Sequence, residues 1–362
     1  MQLRGCFQIL FLYDVAEAFD PERLKQLLGP SAGAVNPSFA RRTPEYVRFS
    51  EPPILEPVEA VVLETGEQLA CSVKYYAFGV VVVRFDAPFD CDWDVLLAQT
   101  SRWMGAPDVE QQARAVVQHH MERITPGVIR PNNDWLHESY LVVRVHEVCQ
   151  SGPERPSAAQ LVSTCGDKIA QLLRGETVPL AREEIEELLK SRLSYFPQDL
   201  IVIASAAALI YDRPEDAAAV AQILEYARLQ LLEFRYYDGL MSQLLSDVYS
   251  MLERKRNLVF SRWTLSREAD RVNRLLLDVM DLTERMDNAL KFVSDAYYAR
   301  VHRMAAKRMG VEEYRDLVEE KLHTVGELYD FMVTQFNEAR SFIIEAIVGI
   351  LVLIDVIFLF RK

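Results

Sequence analysis

The last fifty residues constrain the fold most strongly, because an apolar residue recurs there at every third or fourth position. The steps alternate between three and four, apart from one repeated four between Tyr314 and Leu322. A heptad seam of this length predicts one continuous helix of about 75 Å, at 1.5 Å rise per residue. The seam positions are Val311, Tyr314, Val318, Leu322, Val325, Tyr329, Met332, Phe336, Ala339, Ile343, Ala346, Ile350, Leu353, Ile357 and Phe360.

A weaker seam precedes this helix and runs from Val272 to Met304. Gly310 separates the two seams, and a glycine is well suited to a short turn between helices. Two heptad helices joined in this way form an antiparallel coiled-coil hairpin. The sequence therefore predicts such a hairpin over residues 264–341, and self-association through it.

The end of the strong seam, Phe342–Phe360, is apolar on all sides. Only Glu345 and Asp355 are charged among these 19 residues. A helix that is apolar all round must be buried on every side, in protein or in lipid. On insertion scales the aliphatic and Phe side chains gain about 4.5 to 9 kcal/mol, against about 2.5 to 3.5 kcal/mol for a central carboxylate. We therefore expect a transmembrane helix, with burial inside a soluble oligomer as the alternative.

Basic residues bracket this apolar run. Arg340 precedes it, and Arg361 and Lys362 follow it. Long basic side chains at such positions extend to the lipid–water interface, so we interpret these three as membrane anchors. The predicted location is the cytoplasmic side of a membrane, and the alternative is a cytoplasmic protein.

The first 150 residues predict an α+β head domain. Cys6–Tyr13 is an apolar run that suits a buried strand, and Asp20 with Pro21 is a typical helix start. The β-branched run Val80–Val83 predicts a central strand. Further strands are expected at Tyr46–Phe49, Val58–Glu64 and Tyr140–Val148, and helices at Asp92–Met104 and Asp108–Ile124.

From Ser157 onward the pattern predicts an almost wholly helical chain. Leu200–Tyr211 is apolar and Ala-rich but too short to span a bilayer, so we expect a buried core helix. The pattern loosens at Phe260–Ser266, which indicates a bend. The fold class is thus α+β: a mixed head domain over 1–150, a helical domain over 157–259, the hairpin, and the apolar helix over 342–360.

The sequence contains none of the common phosphate-binding or catalytic motifs that we sought. There is no phosphate-binding GxxxxGK[ST] or GxGxxG loop, no GxSxG and no HExxH. The five cysteines are scattered, which indicates free thiols. His119, His120, His137 and His146 lie near acidic residues, but we interpret them as solvated or capping side chains. We expect no catalytic, cofactor or metal site, and hence a non-enzymatic protein; an enzyme with a pocket in the head is the alternative.

One segment concentrates polar and aromatic side chains within a predicted helix. It contains Glu233, Arg235, Tyr236, Tyr237 and Asp238. Neighbours at i,i+3 and i,i+4 share one side of a helix. The segment predicts either a docking or catalytic surface or, as we favour, a hydrogen-bond network that fixes helix packing.

Several motifs in order resemble the required-for-meiotic-nuclear-division family of YagE-like proteins, a domain of unknown function. They are YYAFGVVVVRF (Tyr75–Phe85), DLIVIASAAALIYD (Asp199–Asp212), LLEFRYYDGL (Leu231–Leu240) and EYRDLVEEKLHTVGELY (Glu313–Tyr329) with its apolar tail. The resemblance covers nearly the whole chain. Because the chain lacks the Arg- and Ser-rich transit segment of mitochondrial members, it resembles a bacterial-type member, which implies the cytoplasmic side of a bacterial inner membrane. It also implies a C-terminal apolar helix, oligomers and, from mitochondrial relatives, association with ribosomes or RNA, but no catalytic residues.

The net charge of the chain limits the classes of partner that it can bind. Forty Lys and Arg against 53 Asp and Glu give −13, which argues against general binding to nucleic acid, and we expect no DNA partner. A local basic stretch, from Arg254 to Arg274, is the best candidate for ribosome or RNA contact. The leading hypothesis is a membrane-associated, homo-oligomeric scaffold or adaptor whose partners are further copies of itself and the lipid bilayer.

Overall fold

The computed structural model describes residues 1–30, 32–34, 52–149, 155–254, 270–274, 277, 279–280 and 296–360. Of these, the side chains of 248, 251–254, 332, 335–340, 342–343, 346 and 355–360 are not described. The chain divides into two compact units. Unit 1 comprises Met1–Phe234 and Asn288–Glu313, and unit 2 comprises Arg235–Asp287 and Tyr314–Lys362.

In the described part of unit 1, nine strands form one mixed sheet. They are β1 (Gln2–Phe19), β2 (Gly33–Ala34), β3 (Ile54–Val62), β4 (Gln68–Tyr76), β5 (Val80–Asp92), β6 (Val128–Cys149), β7 (Arg192–Leu193), β8 (Leu200–Ile203) and β9 (Ala207–Tyr211). Their order is β2-β3-β4-β5-β1-β6-β9-β8-β7. All described pairs are antiparallel except β6 with β9.

The described helices are α1 (Pro21–Leu28), α2 (Trp93–Met104), α3 (Pro107–Ile124), α4 (Ala158–Arg174), α5 (Arg182–Lys190), α6 (Pro214–Arg254), α7 (Ala296–Met309) and α8 (Val311–Phe360). Sequence signals mark several ends. The Asp20 carboxylate accepts from two backbone N–H groups of α1, and Ser157 with Gln160 forms a capping box on α4. Gly310, with φ of +85°, separates α7 from α8 as predicted.

The sheet is covered on both faces, which explains why its central strands are continuously apolar. Side chains alternate between the faces of a strand. Phe7, Phe11 and Val83 pack against α2 to α5 in one hydrophobic core. The opposite face carries Lys74 and Glu138, which contact the first part of α6; we call it the α6 face.

The structure contains the elements predicted for the described part of the first 150 residues, but two strands have different ends. The strand expected at Val58–Glu64 is β3, Ile54–Val62, and the strand expected at Tyr140–Val148 is part of the longer β6. Cys6–Tyr13 lies in β1, which is flanked by β5 and β6, and Val80–Val83 lies in the interior strand β5. The helices expected at Asp92–Met104 and Asp108–Ile124 are α2 and α3. The strand expected at Tyr46–Phe49 and the bend at Phe260–Ser266 lie outside the described residues.

The predicted core helix at Leu200–Tyr211 is wrong. The segment forms β8 and β9, an antiparallel pair joined at Ser205, and β9 pairs in parallel with β6. A short, continuously apolar run does not distinguish a buried helix from a buried strand. The sheet therefore continues past Ser151–Pro156, so the boundary predicted there falls between strands of one sheet.

The antiparallel coiled-coil hairpin is not seen in the described residues. α7 instead contacts other parts of unit 1: Tyr297 stacks edge to face on Tyr195, and His302 is hydrogen-bonded to Gln230. Hydrophobic periodicity indicates which face of a helix is buried, but it does not identify the surface that buries it.

Candidate functional site

The five polar and aromatic residues singled out in the sequence do not form one site. Glu233 belongs to unit 1, whereas Arg235 to Asp238 belong to unit 2. The rings of Tyr236 and Tyr237 contact each other, with centres 5.3 Å apart. The segment is thus divided between two environments.

Within unit 2 the segment joins α6 to α8. The guanidinium of Arg235 lies 5.9 Å from the ring centre of Tyr314. Lys321 Nζ donates to Asp238 Oδ1 at 2.5 Å and to Ser242 Oγ at 2.6 Å. Arg235 precedes Asp238 on α6, and their partners Tyr314 and Lys321 follow the same order on α8, so the two helices run parallel here.

Within unit 1, Glu233 is buried beside Asp14 at the end of the apolar run of β1. Their exposed fractions are 4% and 2%. Asn132 donates to one Asp14 oxygen at 2.9 Å, while Asp14 Oδ2 and Glu233 Oε1 have no hydrogen-bond partner. Burial raises the pKa of Asp14 to about 7. Burial and the negative charge of Asp14 raise the pKa of Glu233 well above its usual value, so the pair retains a proton at neutral pH.

Two ion pairs fix α6 to the sheet. Lys74 Nζ on β4 contacts both oxygens of Glu225 at 2.8 and 2.6 Å, and the Tyr76 hydroxyl donates to the same carboxylate at 2.7 Å. Arg228 pairs with Glu138 on β6. Buried charges are tolerated only when they are paired and hydrogen-bonded, so these pairs specify how α6 packs on the sheet.

A second polar cluster lies on the opposite face, between β3, β4 and α3. The Tyr75 hydroxyl donates to Glu56 at 2.9 Å and lies 2.6 Å from His120 Nδ1, while Arg123 contacts Glu56 at 2.5 Å. Although burial opposes ionisation, hydrogen bonds from His120, Arg123 and Tyr75 lower the pKa of Glu56 to about 2. His120 is buried, so its interpretation as a solvated or capping side chain is wrong.

No spacing of residues along the sequence indicates this cluster, so it was not predicted. His120 and Arg123 are one turn apart on α3, but Glu56 and Tyr75 come together only through the pairing of β3 with β4. Among the described residues, no group of three His, Cys, Asp or Glu side chains could hold a metal ion.

A cavity of about 290 Å³ opens on the core side of the sheet in unit 1. Its lining includes Ile9, Phe11 and Trp103, together with Glu110 and Ser139. Glu110 also forms an ion pair with His137 at 3.0 Å. The lining presents polar and apolar surface in similar amounts, which suits a small ligand of mixed polarity.

The C-terminal part of α8 is the most exposed apolar surface that the structure describes. Eight apolar side chains between Ile344 and Ile354 are 43% to 62% exposed. The seam residues Val311, Val318 and Val325 are buried by contrast, so the heptad pattern predicted the buried face of the first turns only.

The transmembrane prediction for 342–360 is wrong on this structure. Across the residues described, no helix combines the length and the apolar character that a bilayer span needs. Glu345 and Asp355 leave only nine uninterrupted uncharged residues between them, whereas a span needs about 20. The balance of apolar gain against carboxylate cost did not take the length of the uninterrupted run into account, and the expected inner-membrane location loses its basis.

The structure describes only some of the charged residues that were predicted to act in or beside this segment. Glu345 is exposed on α8. Arg340 and Asp355 lie in α8 with side chains outside the described set, and Arg361 and Lys362 are outside the described residues altogether. Their predicted roles as anchors and membrane acids are not supported.

Comparison with known proteins concerns mainly unit 1. The family model of the N-terminal domain of uncharacterized protein MJ0711 matches residues 4–217. A curated relative, uncharacterized protein MJ0711 from Methanocaldococcus jannaschii, is 25% identical over 194 residues. These residues are 54% of this chain and 59% of the relative, so the match spans about three fifths of that protein. No solved structure matches the chain.

These findings support an uncharacterized domain family rather than the YagE-like family or a bacterial origin. The match runs from β1 to the first turn of α6 and therefore includes every described strand of the sheet. Because it covers more than half of the chain, the chain belongs to the family defined by the N-terminal domain of MJ0711.

Proposed function

We propose that this protein is a homo-oligomeric, non-enzymatic scaffold whose copies associate through the C-terminal part of α8. The observation that carries this proposal is the set of eight half-exposed apolar side chains between Ile344 and Ile354. An apolar surface of this extent on a helix is a protein-interaction site when nothing in the same chain covers it.

The geometry of unit 2 explains why α6 does not cover this part of α8. From the Asp238–Lys321 contact, α6 continues for 16 residues to Arg254, whereas α8 continues for 39 residues to Phe360. At 1.5 Å per residue, about 35 Å of α8 extends beyond the last described residue of α6. The exposed apolar side chains all lie in that extension.

The free energy gained by burying this surface in an assembly is comparable with the cost of association. Removing the remaining exposed half of an aliphatic side chain from water gains about 1 kcal/mol, so eight of them contribute about 8 kcal/mol per chain. Association costs roughly 4 to 15 kcal/mol. A single partner helix covers only one side of α8, so a surface that is apolar all round favours three or more copies.

Light scattering after size exclusion tests this directly. We expect the full chain to form an oligomer at micromolar concentration and a chain ending at Ser341 to have a smaller assembly mass. Ile350→Asp should also reduce the mass. Val178→Asp is the matched control, because Val178 is 60% exposed and Ile350 is 59% exposed. A monomeric full chain, or an unchanged mass after truncation, would refute the proposal.

The cavity in unit 1 favours ligand binding as a second candidate function. A small molecule retained through purification would be detected by native mass spectrometry. Ser139→Trp places a large side chain at the lining, so the retained mass should disappear. If no molecule is retained by the unsubstituted protein, this second function has no support.

Two implications of the sequence resemblance remain proposals. One is the finer placement among YagE-like proteins, and the other is association with ribosomes or RNA. The motif order Tyr75–Phe85, Asp199–Asp212 and Leu231–Leu240 supports the first, and the second is suggested only by the mitochondrial relatives of the YagE-like family. Salt-sensitive co-sedimentation with ribosomes, lost on charge reversal of the basic residues between Arg254 and Arg274, would support the second.

A further inference from the structure

The α6 face carries a second group of charged side chains, closer to the N-terminal end of β1. Arg84 and Asp86 are alternate residues of β5 and therefore share one face. Arg84 Nη2 donates to Asp86 Oδ2 at 2.6 Å, and Arg144 Nη2 on β6 donates to Asp86 Oδ1 at 3.4 Å. Asp86 thus holds two guanidinium groups side by side.

Positive charge exceeds negative charge in this group. Elsewhere on the same face, Lys74 has its own carboxylate and Arg228 has another. Here two guanidinium groups share one carboxylate. A partly enclosed excess of positive charge is unfavourable unless an anion balances it.

Polar atoms in this region also lack hydrogen-bond partners. The Nε atoms of Arg84 and Arg144, Nδ1 of His146 and the Ser72 hydroxyl are all buried without a hydrogen-bond partner. Ser72 is opposite Arg84 in the pairing of β4 with β5, and His146 is two residues beyond Arg144. Buried polar atoms in folded proteins are nearly always hydrogen-bonded, so these four atoms offer hydrogen-bonding capacity that a polar ligand can use.

The two guanidinium groups lie at the boundary between the buried and the exposed parts of this face. The Arg84 and Arg144 side chains are 31% and 14% exposed, so they are neither sealed in the core nor fully solvated. A guanidinium has five N–H donors, and each of these two uses one of them on Asp86. The remaining donors form the planar fork that matches the oxygens of a phosphate group.

We propose that Arg84, Arg144, His146 and Ser72 bind the phosphate group of a ligand, with Asp86 as a positioning residue that orients the two arginines. Burial and the charge of Arg144 lower the pKa of His146. Its hydrogen bond with the backbone of Asp212 leaves Nδ1 able to donate to a phosphate only when the ring is protonated. A bound phosphate would reverse part of the lowering of this pKa. The inference is independent of self-association through α8.

Titration of the full chain with inorganic phosphate tests the site. Calorimetry should show saturable binding, and the pKa of the His146 imidazole, followed by NMR, should rise with phosphate. Arg144→Gln and Arg84→Gln should each weaken binding at least about tenfold, because each removes charge-assisted hydrogen bonds. Arg144→Lys keeps the charge but loses the fork, and should weaken binding by a smaller factor.

Arg4→Gln is the matched control, since Arg4 also lies on the sheet but is exposed and contacts both Asp90 and Glu147. It should bind phosphate as the unsubstituted chain does. Absence of saturable binding at millimolar phosphate would overturn the proposal, as would equal binding by the Arg4 and Arg144 variants with both folded by thermal unfolding.

Parallel titrations with a nucleoside monophosphate and a short single-stranded oligoribonucleotide identify the source of the phosphate. Tighter binding of either one, lost in Arg144→Gln, assigns the site to that ligand. Equal affinity for all three assigns it to the free anion.

Discussion

Replacing Asp14 by Asn should make the protein more stable at alkaline pH and remove part of its pH dependence. Asp14 is buried beside Glu233, and its pKa is about 7 in the folded chain against 3.8 for an ordinary aspartate. At about 1.36 kcal/mol per pH unit, keeping this carboxylate ionised in the fold costs roughly 4 kcal/mol. Asn is the same size, and it can donate to the Glu233 carboxyl.

The sign follows from the direction of the shift. Because the folded pKa lies above the unfolded value, the contribution of Asp14 is fully present below about pH 4. It is lost as the pH rises through about 7. Asp14→Asn should therefore change the free energy of unfolding little at pH 4 and increase it by up to about 4 kcal/mol at pH 8.

Urea unfolding from pH 4 to pH 8 measures this effect. Trp93, Trp103 and Trp135 lie in unit 1 and report its unfolding by fluorescence. Asp134→Asn, at an exposed position, is the control and should stay within about 0.5 kcal/mol at every pH. If the Asp14 variant is no more stabilised at pH 8 than at pH 4, the reasoning about the carboxyl pair is refuted.

Three further substitutions test other contacts, each by urea unfolding. Glu225→Gln leaves the Lys74 ammonium buried without a counter-charge and should lower the free energy of unfolding by about 3 to 5 kcal/mol. Replacing both residues by Leu and Met should recover most of this loss. No recovery would contradict the ion-pair argument. Glu56→Gln should lower the free energy of unfolding by roughly 3 kcal/mol at pH 7, because the pKa of Glu56 falls from 4.5 to about 2 on folding. The ionised carboxylate therefore stabilises the fold above pH 4.5, and this stabilisation is lost as the pH falls through 2. An equal loss of stability at pH 2 would argue against this reasoning. Gly79→Ala should destabilise by more than about 1 kcal/mol, since φ is +87° and the added Cβ would lie 1.7 Å from the Ala16 carbonyl oxygen; a neutral result would contradict the turn geometry.

The elements whose signals are local were predictable from the sequence. Asp20 with Pro21 marks the start of α1, Gly310 separates two helices, and the β-branched run at Val80–Val83 occupies an interior strand. Each of these depends on the conformational preference of a few adjacent residues. The continuity of α8 was predictable in the same way, because a heptad pattern is a property of one helix.

The candidate sites were less predictable. The segment from Glu233 to Asp238 was identified as unusual, but its division between two units was not. The phosphate site joins β4, β5 and β6 through Ser72, Arg84 and Arg144, which are separated by 12 and 60 residues along the chain. Each residue alone is a common polar residue on a strand, and only the order of the strands brings them together.

The chain's own sequence thus determined where several of its helices begin, which faces are apolar and that α8 ends in an apolar surface. Tertiary structure decided what Leu200–Tyr211 forms, which surface α7 packs against and which charges meet. The physical reason is that local preferences of backbone and side chain act within a few residues. Strand pairing and the burial of charge depend on groups distant in the chain, whose energies count only once the fold has placed them in contact.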